Sequence, residues 1–124
     1  MTVLVDSDVL IEVSRERNRE IVFRWTQLAE SGDPILCSPV SSAEVWAGAL
    51  PREHDQTAKL FRALVCVPID YETGRQAGDY LRQYCKSHGV QIADALIAAA
   101  AVLNQAHLWT RNRKHYPMPG LLFF

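Results

Sequence analysis

The sequence predicts a single α/β domain built on a mostly parallel sheet with helices over both faces. Short apolar runs alternate with helical patterns along the chain, the arrangement expected of strands joined by crossover helices. The 124 residues suit one domain, which would span residues 1–124. A hydrophobic content of 48% is enough to fill a sizeable core.

The elements follow in order. "TVLVD" reads as a short buried strand. "DVLIEVSRER" has helical spacing, with Val9, Leu10 and Val13 on one side. "REIVFRWTQLAESG" is a second helix carrying Ile21, Phe23, Trp25 and Leu28, stopped by Gly32. "PILCSP" is a second strand. "SSAEVWAGAL" has Glu44 three residues after Ser41, which resembles a capping box, and ends at Pro51. "EHDQTAKLFRALV" is a helix and "CVPID" a short strand. "YETGRQAGDYLRQYCKSHG" is an amphipathic helix ending at Gly89. "IADALIAAAAVLNQA" is apolar on nearly every side, as a buried helix should be. "HLWT" is a strand, "NRKHY" a turn and "GLLFF" a final strand.

Composition narrows the function. The formal net charge is −1, so any contact with nucleic acid has to come from a local patch. No run of 18 or more apolar residues exists to cross a membrane, and the amino terminus lacks the pattern of a signal peptide, so a soluble cytoplasmic protein is expected. Cys37, Cys66 and Cys85 are far apart and odd in number, and they never form a C-x-x-C pair. They are expected to be small buried hydrophobes, not a disulfide framework or a zinc site.

The chemistry-bearing residues are acidic. In an open parallel sheet, ligands bind beyond the carboxyl ends of the strands. Asp6 ends the first strand and Glu44 is placed in the first turn of the helix after the second. Asp94 lies near the start of the alanine-rich helix, and Asn112 follows "HLWT". Each has an ordinary structural reading. Asp94 would favour the positive end of its helix, Glu44 would complete a capping box, and Asp6 and Asp8 would be turn and cap residues. Together, three acids from three segments at one sheet edge would repel unless a cation lay between them. Oxygen-only ligands select Mg²⁺ or Mn²⁺ over zinc, and such an ion suits phosphoryl chemistry. Asp6 would then hold a metal. Asp8 would cap the first helix or support the site from behind.

Four stretches carry a family resemblance: "VLVDSDVLIE", "SPVSSAEVWAGA" around Glu44, "IADALIAAAAV" around Asp94, and the terminal "LWTRNRKHYPMPGLLFF". In order and spacing they resemble a PIN domain, and more closely a VapC-type toxin ribonuclease of a toxin–antitoxin pair. The resemblance implies a PIN-like three-layer fold and an endoribonuclease dependent on Mg²⁺ or Mn²⁺. It assigns the acidic residues to Asp6, Glu44 and Asp94, and it implies an antitoxin partner and a homodimer. The family's fourth position, often aspartate, falls on Asn112, which leaves the number of metals open. Thr110 and Ser41 would support the site from behind, Thr110 by hydrogen bonding.

Arg111, Arg113, Lys114 and His115 would hold RNA phosphates or form a solvated turn. "RERNRE" reads as a solvated loop. His54 and His88 read as surface residues and His107 as structural. Trp109 is expected in the core, and Trp46 would line a groove for the antitoxin. A receiver-like phosphoacceptor module is the competing reading. It would need an aspartate after a middle strand, for which Asp70 is available, and a lysine after a late one, where Lys114 sits too far along. A catalytically silent PIN-like binding domain is a third.

Overall fold

The computed structural model describes all 124 residues. Its centre is a four-stranded, wholly parallel sheet in the order β3-β2-β1-β4. The strands are β1 (Val3–Val5), β2 (Ile35–Cys37), β3 (Val65–Cys66) and β4 (His107–Trp109). Helices α1 (Ser7–Arg15) and α2 (Arg19–Glu30) join β1 to β2. Helices α3 (Pro39–Gly48) and α4 (His54–Arg62) join β2 to β3. Helices α5 (Tyr71–His88) and α6 (Ile92–Leu103) join β3 to β4.

Because side chains alternate across a strand, the sheet divides the core in two. Leu4, Leu36 and Leu108 face α5 and α6, where Ala77, Tyr80, Ile97 and the buried Ala98–Ala101 run complete the layer. Val3, Val5, Ile35, Cys37 and Trp109 face the opposite side, with Val9, Leu10 and Val13 of α1, Leu28 of α2, Val45 of α3 and Leu60 of α4. This is the three-layer arrangement expected, and every strand pair is parallel.

Several local expectations are corrected. Asp6, not Asp8, is the N-cap of α1, its carboxylate accepting from the Ser7 N–H. Helix α1 stops at Arg15, where Glu16 turns left-handed at φ 54°. Ser38 caps α3 and Pro39 opens it, so Ser41 lies inside the helix and makes no capping box with Glu44. Pro at the first helical position is pre-set for that role. The edge strand β3 ends at Cys66, so "VPID" is a loop into Asp70, the N-cap of α5. "NRKHY" contains a short 3₁₀ turn, Arg113–His115. "GLLFF" does not extend into a strand and meets the sheet only through the Leu108–Phe123 bridge. Only Cys37 is buried; Cys66 and Cys85 are exposed. No helix is long and apolar enough to cross a membrane.

Candidate active site

The register of β1 and β4 builds the floor of the site. Val5 pairs with Trp109, so the next residues, Asp6 and Thr110, leave the sheet side by side. The ladder runs one step further, with the Asp6 N–H donating to the Trp109 carbonyl at 2.9 Å. Thr110 Oγ1 then donates to Asp6 Oδ2 at 2.9 Å, and the phenol of Tyr116 donates to the same oxygen at 2.7 Å. Asp6, Thr110 and Tyr116 are all buried. The other oxygen, Oδ1, accepts the Ser7 N–H at 2.8 Å and a longer contact from the Ser7 hydroxyl.

Ser7 links two carboxylates, since its hydroxyl also donates to Glu44 Oε1 at 3.1 Å. Glu44 lies on the second turn of α3, not the first, because the helix begins at Pro39. Burial raises its pKa, the Ser7 hydrogen bond opposes this, and the charges of Asp6 and Asp94 add to it. Asp94 is in the first turn of α6, where its carboxylate accepts the Gln91 N–H at 3.4 Å. Burial raises its pKa too, offset by that hydrogen bond and by His115, with Asp6 pushing upward. Asp6, Glu44 and Asp94 therefore share one field, and His115 faces Asp94.

Asp8 lies behind Asp6. Its Oδ2 accepts the Arg111 N–H at 3.1 Å and a longer contact from Thr110 Oγ1. Its Oδ1 is buried without a partner. Burial first, then the Asp6 charge, pushes Asp8 up to about 6. Tyr116 is pushed far above the usual phenol range by burial and by Asp6, so it stays a hydrogen-bond donor.

The other candidates make no side-chain hydrogen bond or ion pair with Asp6, Glu44 or Asp94. The Ser41 hydroxyl is buried with no partner. Asn112 contributes its backbone N–H to Thr110 Oγ1 at 3.1 Å, and its residue is exposed. Arg111 pairs with Glu12 at 3.3 Å, and Arg113 lies over the Phe123 ring with its guanidinium on the Phe124 carbonyl. Lys114 is exposed. Trp46 packs edge-on to His54 and stacks on Phe61. Ser7 and Tyr116 were not singled out from the sequence. The only hint of Ser7 was its place between two aspartates, and for Tyr116 it was an aromatic hydroxyl closing "TRNRKHY".

The donors gathered here are oxygens, which suits a hard divalent ion. No three His, Cys, Asp or Glu side chains close into a cage. The set fits an ion that takes few protein ligands and keeps several waters, as Mg²⁺ does. The phosphoacceptor reading fails on placement. Asp70 lies beyond the edge strand, away from Asp6, and spends its carboxylate on the Thr73 N–H and hydroxyl.

Comparison with known proteins identifies the family of the chain. The profile of the PIN domain matches residues 3–121. Ribonuclease VapC10 of Mycobacterium tuberculosis is 35% identical over 117 residues, covering 94% of this chain and 86% of that protein. Ribonuclease VapC19 of the same species is 30% identical over 116 residues, covering 93% and 92%. Among solved structures, VapBC2 from Rickettsia felis bound to a promoter DNA fragment superposes with a TM-score of 0.84 at 19% identity, covering 100% of this chain and 98% of that one. The chain belongs to the PIN domain family and, within it, to the VapC ribonucleases.

Proposed function

We propose that this protein is a Mg²⁺- or Mn²⁺-dependent endoribonuclease, the toxin of a type II toxin–antitoxin pair acting in the cytoplasm. The observation that carries the reading is the Ser7 hydroxyl joining Asp6 Oδ1 to Glu44 Oε1 at the carboxyl edge of the sheet, with the charge of Asp94 acting on both carboxylates. These carboxylates would hold the ion. When bound, it supplies positive charge to the phosphate and makes a water more acidic. Thr110, Tyr116 and Ser7 fix the Asp6 carboxylate, so its orientation is set before substrate arrives. Lys114 and His115 stand where a phosphate backbone would be drawn in. Asn112, neutral where an acid would add charge, favours one firmly held ion. A small antitoxin with a basic side chain suits the acidic site, and a homodimer is part of the same reading.

The test is cleavage of RNA with Mg²⁺, with Mn²⁺ and with excess chelator. Cleavage is expected only with metal. Asp94→Asn is expected to lose activity by a hundredfold or more, on the order of the loss when a group stabilising the transition state is removed, while remaining folded. Undiminished cleavage in chelator would refute the reading. Partner binding without cleavage in Mn²⁺ would mark a silent binding domain instead.

A further inference from the structure

Tyr116 stands 110 residues from Asp6 in sequence, yet its hydroxyl is 2.7 Å from Asp6 Oδ2. The ring is only 4% exposed. It directly follows the 3₁₀ turn that carries Arg113, Lys114 and His115. Thr110 Oγ1 reaches the same oxygen from the other side at 2.9 Å. Oδ2 thus accepts from two buried hydroxyls, while Oδ1 accepts one short bond, from the Ser7 N–H at 2.8 Å, beside a longer 3.5 Å contact from the Ser7 hydroxyl that leads on to Glu44, and keeps a lone-pair site for a further partner. A carboxylate oxygen offers about two lone-pair sites. Two short hydroxyl contacts occupy those of Oδ2.

We infer that Tyr116 is a positioning residue which, with Thr110, saturates Asp6 Oδ2 and leaves Oδ1 alone to meet the metal. The inference rests on the metal-dependent reading above. Asp6 would then offer an ion one oxygen, the one that Ser7 joins to Glu44. Hydrogen-bonding groups behind metal ligands set both their orientation and their affinity, and losing one typically costs 10–100-fold in metal binding. Tyr116 also ties the basic 3₁₀ turn to the carboxylate it serves, so phosphate-attracting side chains and metal ligand are held by one contact.

The test is Tyr116→Phe, which removes one oxygen and keeps the ring. Mn²⁺ affinity is read directly by calorimetry on the full chain without RNA, and RNA cleavage is followed across a Mn²⁺ series. The expected result is roughly tenfold weaker Mn²⁺ binding. The Mn²⁺ needed for half-maximal activity should rise by about the same factor, with much of the rate recovered at saturating metal. A purely structural role would lower the melting temperature without moving Mn²⁺ affinity. Equal affinities in the two proteins would overturn the inference and leave the metal reading standing. No Mn²⁺ binding by the unaltered protein would overturn both. Should the Phe variant not fold, 3-fluorotyrosine at position 116 replaces it. Its fluorine signal is expected to broaden on adding Mn²⁺ far more than the same label at the exposed Tyr71, and equal broadening refutes the placement.

Discussion

Asp8 is costly to keep charged. One of its oxygens is buried without a donor, and Asp6 repels it from two residues away. Its pKa of about 6 lies above the ordinary carboxylate value. The folded chain therefore binds a proton there more readily than the unfolded one. That contribution favours the fold at low pH and is lost as pH rises through about 4 to 6. Asp8→Asn removes the charge but keeps a carbonyl for the Arg111 N–H. In chelator, the variant should melt higher than the unaltered protein at pH 7.5, with the gap closing near pH 4. Thermal melts across that range check the sign, and a variant less stable at pH 7.5 would contradict it.

At the scale of elements, helix starts decide where side chains point. Ser38 is fully buried and caps α3, while Ser41, one turn on, has a buried hydroxyl with nothing to bond. The two serines should behave oppositely. Ser38→Ala should cost about 1 kcal/mol, the usual value of an N-cap. Ser41→Ala should be neutral or stabilising, because it deletes an unpaired buried polar group and adds a better helix former. Urea unfolding of both proteins tests the pair. The same helix shows what the sequence made legible. Apolar runs located β1, β2 and β4, and Gly89 marked the end of α5, because those signals are local; the two-residue β3 meets the expected strand only at Cys66, and "GLLFF" reads as a strand it does not form. In "SPVSSAE" three serines competed for one cap, and Pro39 was the cue that favoured Ser38. Asp6, Glu44 and Asp94 stood out because acids interrupt apolar segments. Ser7 and Tyr116 did not, because a serine or tyrosine alone is unremarkable. What defines Tyr116 is a partner 110 residues away, brought close by sheet register and not by spacing.

Across the whole molecule, β1 sits inside the sheet, with β2 on one side and β4 on the other. Both layers of core close onto β4 through Leu108 and Trp109. A chain cut after Asn104 would retain Asp6, Glu44 and Asp94 but lose β4 and the two hydroxyls on Asp6 Oδ2. It is expected to lack cooperative unfolding and to cleave no RNA; a sharp thermal transition in that fragment would show that the first three strands fold alone. The dependence of residue 6 on residues 110 and 116 also has a meaning for synthesis. At roughly 5–20 residues per second on the ribosome, some 5 to 20 seconds separate Asp6 from Tyr116. For most of that interval the nascent chain lacks Asp94, and for all of it Asp6 lacks the Tyr116 hydroxyl. On the metal-dependent reading, the emerging polypeptide is expected to cut no RNA until residue 116 has been made and has folded onto Asp6.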